Sequence, residues 1–272
     1  MRLQSQCTLC TMVGLLLVRA VIAQEPIQWP GANLLTVRVT AATTSIGADT
    51  FRITYVVYNA PHSQQKAELF FVRTNANPLG WIATPGMRLG WSGSGGPMSD
   101  SLGVTWFAAG HRGDIMPGDS AAPFAYTAVG ELAISRFHVQ GWVQPPELTD
   151  TTTRPIAARP RFWNDSYRGW TIAVVPLGNM AAPNVAQRLA VATNQACGDP
   201  NLINEATLCE NLNSRPRLAA RAVLENNLPG ACDHLRALIT EVAALADTVI
   251  TPEGRALLTT RAQQFIGRHC TP

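Results

Sequence analysis

The sequence predicts an all-β sandwich followed by a small all-α bundle, and two observations lead to this fold class. Residues 27–178 contain many short segments in which apolar and polar side chains alternate, separated by closely spaced turn residues. Beyond residue 197, apolar residues instead recur with the spacing of amphipathic helices. We therefore expect an antiparallel sandwich, immunoglobulin-like or jelly-roll-like, and then a three-helix bundle.

The alternation is clearest in residues 50–59, where Phe51, Ile53, Tyr55 and Val57 fall on one face. Turn residues such as those of 92–97 separate the strands, and no helical periods intervene. The other segments with this alternation are 33–43, 66–74, 102–110, 122–130, 134–143 and 169–177.

Tryptophans are concentrated in the strand-rich half. Rings of this size commonly fill a sandwich core, because each buries a large apolar area. The alternative is a carbohydrate-binding face of exposed rings, for which Trp81, Trp91 and Trp106 are the candidate ligand-binding residues. The tryptophans in or beside the predicted strands are Trp81, Trp91, Trp106, Trp142 and Trp170.

The second half begins with a predicted linker over 179–196, in which the sequence allows one helical stretch, and continues with a helical domain over 197–272. Ser214 is a plausible N-cap for the first predicted helix. Thr251 is a plausible N-cap for the last one, with Pro252 at its first position. The predicted helices are 214–227, 230–247 and 251–270.

Cysteine spacing predicts how these helices are linked. Cys7 and Cys10 lie in an expected export signal, described below, so four cysteines remain after cleavage. In an exported chain, four cysteines favour two disulfides, with three possible pairings. If the last two helices form an antiparallel hairpin, Cys232 at the start of one lies beside Cys270 at the end of the other. We therefore expect Cys232–Cys270, and Cys197–Cys209 as the second bridge.

Zinc binding is the rival interpretation of these cysteines, since His234 and His269 lie beside Cys232 and Cys270. Residues two apart on a helix point in roughly opposite directions, so Cys232 and His234 do not converge easily. The usual zinc-ligand spacing is also missing. We expect no metal, and no cofactor, because the chain contains neither a phosphate-binding glycine loop nor a dinucleotide fingerprint.

Residues 1–23 are typical of a cleaved export signal. Arg2 precedes the short apolar run 11–18, and small residues at Val21 and Ala23 suit a signal peptidase. The run is too short to span a bilayer, and no later segment is a transmembrane candidate. We therefore expect a secreted, periplasmic or cell-surface protein without a transmembrane segment after cleavage.

The charge balance excludes two classes of partner. Removing residues 1–23 takes away Arg2 and Arg19 and no acid, so 19 basic and 18 acidic groups remain. Nucleic-acid binding calls for a concentrated basic face, and Lys66 is the only lysine, which argues against a polybasic membrane patch. The apolar fraction of 46% is enough for a sizeable core.

The segment HRGDIMPGDS, residues 111–120, contains groups that resemble a catalytic or adhesive site. The tripeptide Arg112-Gly113-Asp114 is an adhesion label in some extracellular proteins, and it requires exposure. Closeness of a histidine, an aspartate and a serine on one loop does not produce a triad. Pro117-Gly118 suits a type II turn, so we interpret the segment as a turn between strands.

These features favour a non-catalytic interaction or adhesion-type protein with an unknown protein or glycan partner. The alternative from another class is an extracellular, glycan-active hydrolase, which needs two carboxylates, or a Ser/His pair, that converge in a cleft. The acids to test for that role are Glu68, Asp114, Asp119 and Glu131. A purely structural spacer is the third hypothesis.

The strand-rich half resembles a group of uncharacterised secreted bacterial β-domains, through the segments 54–72, 80–81, 115–128 and 137–141. The helical segment 214–266 is similar to FIMAH-type helical modules attached to bacterial extracellular proteins. The matching positions are core and turn residues, so the resemblance implies an exported two-part protein and no catalytic residue. The residues that match the helical pattern are Ala222, Leu224, Ala231, Leu235, Ile239, Glu241 and Val242.

Overall fold

The structure is a computed structural model of the 272-residue chain. The expected signal peptide, residues 1–23, and the expected long loop, 143–162, lie outside the residues that it describes. The described residues are 33–75, 80–81, 90–98, 101–110, 113–142, 165–198 and 202–270.

Two antiparallel sheets form the first half, which confirms the predicted sandwich. The four-stranded sheet has the order β1-β2-β7-β4 and the five-stranded sheet the order β5-β6-β3-β8-β9. β1 and β9 are therefore edge strands. In chain order the strands are β1 (Val37–Ser45), β2 (Thr50–Asn59), β3 (Ala67–Arg73), β4 (Gly80–Trp81), β5 (Trp91–Met98), β6 (Ser101–Ala108), β7 (Ser120–Val129), β8 (Glu131–Gly141) and β9 (Tyr167–Val175).

An aromatic cluster fills the space between the sheets. The rings of Phe70 and Trp106 stack with their centroids 5.2 Å apart, and Tyr55 meets Phe70 edge-on at 5.5 Å. Phe124 joins the group from β7, with its centroid 5.7 Å from that of Trp106. All four side chains are almost completely buried. The alternation seen in the sequence exists because one face of each strand supplies this core.

Four helices follow the sandwich in the described part of the chain, where three were predicted. The segment 179–196, expected as a linker with one helical stretch, is mostly a helix that buries Val185 and Leu189. Ser214, the expected N-cap, lies inside a helix that starts earlier, whereas Thr251 caps the last helix as predicted. The helices are α1 (Ala182–Ala196), α2 (Ala206–Leu224), α3 (Leu228–Ala244) and α4 (Pro252–His269).

Both predicted disulfides are confirmed. Cys232, near the start of α3, is bonded to Cys270 at the end of α4, as the antiparallel hairpin requires, with 5.9 Å between their Cα atoms. Cys197 and Cys209 link the end of α1 to the beginning of α2. The four sulfurs are used in these bonds, so no thiolate is left for the zinc alternative.

The sandwich and the helices belong to one compact unit. α1 and α4 pack against β8, and α4 also packs against β1. A carboxylate near the start of α4, that of Glu253, accepts a hydrogen bond from the backbone N–H of Ala41 on β1 at 3.1 Å. No helix in the described part of the chain is long and apolar enough to cross a membrane.

Candidate functional site: an arginine-rich groove at the sandwich edge

Residues 113–120, the described part of the segment 111–120, form the predicted turn. The N–H of Asp119 donates to the carbonyl of Met116 at 2.9 Å, and Gly118 has φ +90°, as the third position of a type II turn requires. Arg112 lies outside the described residues. Asp114 is 5% exposed and pairs with Lys66 at 2.5 Å, so its carboxylate is not displayed for adhesion.

The candidate ligand-binding tryptophans do not form an exposed platform. Trp106 is fully buried, and Trp91 is 8% exposed with its indole N–H donating to the carbonyl of Gly113. The expectation of a binding role is therefore wrong for these two rings, because both belong to the core. Trp81 pairs with Tyr126 in the sheet, and its side chain is outside what the structure describes.

Two of the four acids proposed for a hydrolase, Asp114 and Glu131, are paired with basic side chains. Asp114 is buried beside Lys66, as described above. Glu131, at the start of β8, accepts hydrogen bonds from Arg188 on α1 at 3.0 Å and pairs with Arg261 on α4 at 2.8 Å. The two carboxylates thus have separate basic partners, an arrangement that links structural elements.

Glu131, Arg188 and Arg261 border a cavity of about 710 Å³ where the sandwich meets α1 and α4. Arg261 also donates to the backbone carbonyl of Arg188 at 2.9 Å, so the three side chains connect both helices to β8. Amides such as Asn184 and Gln187 line the rest of this junction cavity. Since both carboxylate oxygens of Glu131 accept guanidinium N–H groups, this cluster acts as a structural joint.

A Ser/His pair does form, between His138 on β8 and Ser166 just before β9, with Nδ1 and Oγ 3.0 Å apart. Both residues are buried. Burial, together with the charges of Arg168, Arg136 and Arg73, lowers the pKa of His138 from 6.5 to about 4. The imidazole is therefore neutral and weakly basic at neutral pH, in surroundings opposite to the carboxylate that orients a catalytic histidine.

Three arginines instead line a groove where the two edge strands β1 and β9 face each other. We call it the edge groove; its volume is about 350 Å³. Arg38 comes from β1, Arg136 from β8 and Arg168 from β9, and no acidic residue is among its described lining residues. The lining residues are Val37, Arg38, Val39, Arg136, Phe137, Tyr167, Arg168, Gly169 and Trp170.

Strand register explains why these side chains meet. Arg136 is directly opposite Trp170, and His138 is opposite Arg168, so these residues share one face of the β8–β9 pair. The guanidinium of Arg136 lies over the Trp170 ring at 4.4 Å, and that of Arg38 lies over the Tyr58 ring at 5.5 Å. Stacking of this kind fixes the guanidinium plane while its N–H groups still point outward.

The floor of the edge groove is apolar. Val37 and Phe137 are buried, and the ring of Tyr167 stacks with that of Phe137 at 6.3 Å. Glycine is needed at position 169, because a Cβ there would collide with the Phe137 ring. The groove thus has a cationic rim and an apolar base, which suits a ligand with alternating acidic and apolar groups.

Sequence reasoning missed this site. It selected tryptophans and acids by residue type, whereas the groove is assembled from arginines that lie at positions 38, 136 and 168 of the chain. A weaker signal existed in Val37-Arg38-Val39 and Ser135-Arg136-Phe137, where arginine takes the solvent-facing position of a strand. That pattern marks exposed faces, but the juxtaposition of β1 with β9 is set by the tertiary fold.

Comparisons with known proteins identify no family for this chain. No protein-family model matches it, and a search of curated proteins finds no match. The similarity of the helical segment to FIMAH-type modules therefore rests on the sequence segments alone.

Several solved structures show distant similarity. An uncharacterised protein from Nocardia farcinica with an immunoglobulin-like fold is 16% identical, with a TM-score of 0.32 over 51% of this chain and 97% of that chain. A protein described as a CBM3 of Hungateiclostridium clariflavum is also 16% identical, with a TM-score of 0.25 over 35% and 71% of the two chains. A GH20 exo-β-N-acetylglucosaminidase from Vibrio harveyi is 9% identical, with a TM-score of 0.27, and only 19% of that enzyme is covered. At these TM-scores the similarities carry no argument about function, and the description of the fold rests on the observed sheets.

Proposed function

We propose that the protein is an exported, non-catalytic interaction protein of the periplasm or cell surface, which binds an anionic protein or glycan partner through the edge groove. The observation that carries this proposal is the convergence of Arg38, Arg136 and Arg168 around one open groove. The charge of the chain is nearly balanced, yet three guanidinium groups lie together in this groove. Guanidinium groups are well suited to binding carboxylates and sulfates.

The compartment is inferred from two features. Disulfides persist in oxidising environments, and this chain has two within its described helical region. Residues 1–23 have the sequence pattern of an export signal. Together they support a location outside the cytoplasm, where the groove would meet surface proteins or acidic polysaccharides.

The surroundings of the ionisable groups support a binding role over a catalytic one. Asp114 and Glu131 are paired with cations, and His138 is buried among arginines with a lowered pKa. Cations thus surround each of these groups, whereas a catalytic histidine is oriented by a carboxylate. The glycan-active hydrolase and the structural spacer are the alternatives that the following experiment separates from this proposal.

The test uses the chain from Gln24 onward and measures binding by interferometry to two anionic probes, heparin and poly-glutamate, and to neutral dextran. We expect binding to the anionic probes that weakens with salt, and at least tenfold weaker binding for Arg38→Ala/Arg136→Ala. Arg236→Ala is the matched control, because it removes an exposed guanidinium from α3, outside the groove.

Equal binding by the groove variant and the Arg236→Ala control would overturn the proposed site. Absence of binding to every anionic probe would overturn the proposed function and favour the spacer. Release of reducing sugar from the polysaccharide by the unmodified chain, but not by a Glu131→Gln variant, would favour the hydrolase.

A further inference from the structure

The backbone of β1 presents hydrogen-bonding groups to the edge groove. In an antiparallel pair, alternate residues direct their N–H and C=O groups toward or away from the neighbouring strand. Ala41 donates its N–H outward, to Glu253, so it belongs to the outward-directed set. By the same alternation, Val37 and Val39 direct their backbone groups away from β2, and both line the groove.

The edge strands are capped elsewhere by specific side chains. On β9, the hydroxyl of Tyr55 donates to the carbonyl of Ile172, and the hydroxyl of Tyr126 accepts from the N–H of Val174, both at 2.8 Å. Burial raises the pKa of Tyr126 to about 12, so this hydroxyl stays protonated at physiological pH. These caps protect the C-terminal half of β9, and Glu253 protects β1 at Ala41.

The caps stop short of the groove. In the part of the chain that the structure describes, no side chain bonds to the outward backbone groups of Val37 or Val39, as Glu253 does at Ala41 and Tyr126 does at Val174. Uncapped backbone groups on an edge strand form a template for an additional strand. The part of the edge that this protein leaves open is therefore the part that carries Arg38.

The aromatic rings near the groove do not favour a sugar. Sugar recognition uses open ring faces, but the guanidinium of Arg136 lies over the Trp170 ring and that of Arg38 over the Tyr58 ring. The same stacking holds the guanidinium groups flat, with N–H groups available for bidentate contact with carboxylates. This arrangement favours carboxylate side chains over a stacked pyranose.

A strand added to β1 would place its side chains alternately on two sides. Those on one side would lie in line with Arg38, and those on the other would cover the apolar floor formed by Val39, Phe137 and Tyr167. At about 3.3 Å per residue, the stretch from Val37 to Val39 spans about 7 Å and pairs with about three peptide residues.

We propose that the edge groove binds an extended, acidic segment of a partner protein, in which acidic and apolar residues alternate, as an additional strand beside β1. This inference rests on the proposed function and narrows its partner from any anionic polymer to a peptide strand. Affinity comes from backbone hydrogen bonds, and selectivity from the cationic rim and apolar floor.

The first experiment compares two labelled peptides of identical composition by fluorescence anisotropy with the chain from Gln24 onward. One peptide alternates, acetyl-Glu-Val-Glu-Val-Glu-Val-amide, and the other has blocks, acetyl-Glu-Glu-Glu-Val-Val-Val-amide. We expect the alternating peptide to bind at least tenfold more tightly, since only it matches rim and floor together. Equal affinity of the two peptides would overturn strand addition.

Backbone methylation sharpens this test without changing the protein. An added strand directs alternate N–H groups toward β1, so methylating either the glutamate nitrogens or the valine nitrogens must have unequal effects. We expect one methylated peptide to lose at least tenfold in affinity and the other to keep most of it. Equal losses, or no loss in either peptide, would contradict the inference.

A protein variant tests the same hydrogen bond from the other side. Val39→Pro removes an outward N–H and leaves the β1–β2 ladder, because proline is tolerated on edge strands where its nitrogen faces away from the sheet. Thr43→Pro is the matched control, at the same alternation on β1 but beyond the Glu253 cap. We expect Val39→Pro to lose peptide binding at least fivefold, while Thr43→Pro, with the same circular dichroism, retains it.

These outcomes separate the inference from the proposed function. Heparin and poly-glutamate could bind through Arg38 and Arg136 while the two peptides bind with equal affinity. The proposed function, binding of an anionic partner, would then be kept, and the inference of an added strand would be wrong. If no anionic probe binds, both the proposed function and the inference of an added strand are wrong. If the alternating peptide binds and Val39→Pro binds it as tightly as Thr43→Pro does, strand addition to β1 is wrong.

Discussion

The sandwich and the helical region of this protein are stabilised by different means. The sandwich is held by rings that are far apart in sequence, such as Tyr55, Phe70 and Trp106. The helices bury narrower apolar stripes and are connected by two disulfides, each of which joins helix ends. The difference indicates a division of roles, in which the sandwich offers an open edge for binding and the helices form a covalently restrained support.

The boundary between the two regions is ionic. Glu131, Arg188 and Arg261 connect β8 with α1 and α4, and Asp49 pairs with Arg268 beside them. Buried ion pairs are geometrically demanding, so they favour one docking arrangement over others. α4 also supplies the Glu253 cap on β1, so correct docking of the helices limits how much of the β1 edge is open.

The largest expected effect comes from removing the carboxylate at this boundary. Glu131→Ala leaves the buried guanidinium of Arg261 and the partly exposed one of Arg188 without their counter-charge, and loss of a buried counter-charge typically costs about 3–5 kcal/mol. We expect the free energy of unfolding in urea to fall by that amount. We also expect the helical circular dichroism to be lost at lower urea than the tryptophan signal, which reports on the sandwich.

The control is Glu241→Ala, which breaks an ion pair with Arg215 on the surface of the helices. The side chains of Arg215 and Glu241 are both more than a third exposed, so we expect the free energy of unfolding to fall by less than about 1 kcal/mol. Similar losses for Glu131→Ala and Glu241→Ala would show that the boundary is no more than a surface contact.

The disulfides come next. The Cys232–Cys270 bridge closes a loop of 38 residues and the Cys197–Cys209 bridge one of 12. Chain-entropy arguments assign about 2–4 kcal/mol to each, with the longer loop worth about 1 kcal/mol more. We therefore expect Cys232→Ser/Cys270→Ser to lower the midpoint of thermal unfolding more than Cys197→Ser/Cys209→Ser does, as measured by calorimetry.

The reverse order would mean that the Cys197–Cys209 bridge holds α1 in place, since this bridge is the disulfide cross-link between α1 and α2. The docking of α1 through Arg188 would then depend on the disulfide more than on Glu131.

A smaller effect tests the sandwich alone, through His138. Its folded-state pKa of about 4 lies below its ordinary value of 6.5, so between these values the unfolded chain binds a proton that the folded chain does not. This contribution to stability is complete above pH 6.5 and is lost as the pH falls toward 4. We expect His138 to account for a decrease of roughly 2 kcal/mol over that window.

The measurement is the difference in unfolding free energy between the unmodified chain and His138→Gln, taken from pH 8 to pH 4. That difference should narrow as the pH falls. A constant difference would show that the imidazole keeps its ordinary pKa, and that Arg136 and Arg168 do not act on it.

The sequence predicted what local periodicity and covalent chemistry determine. The alternation around Tyr55 gave the sandwich, Pro117-Gly118 gave the turn, and the hairpin geometry of the last two helices gave Cys232–Cys270. The edge groove was not predictable in this way, because it depends on which edges the two sheets bring together. For Trp91 and Trp106 the sequence favoured a core position over an exposed platform, and the placement of the sheets shows that both rings are buried.

The helix missed at 182–196 has a physical explanation. Its N-cap is Ala181, which makes no side-chain hydrogen bond, and its first turn contains no acidic residue. α3 and α4, by contrast, begin with Asn227 and Thr251, whose side chains accept from the N–H groups of the first turn. Sequence reasoning relies on such caps to find a helix start, so a helix that lacks one was expected only as a stretch within a linker, without defined bounds.

The last and smallest prediction follows from that absence. Ala181 already has φ −58° and ψ 137°, the non-helical conformation of an N-cap, so Ala181→Asp adds a side-chain acceptor without changing the backbone. An aspartate there also lies at the positive end of the helix dipole. We expect a gain of about 0.5–1 kcal/mol in urea unfolding, and Thr251→Ala should lose about as much from α4, since it removes the acceptor for the Gly254 N–H. If Ala181→Asp gave no gain while Thr251→Ala gave the loss, the start of α1 would be held by its docking to the sandwich through Arg188, and local capping would contribute nothing there.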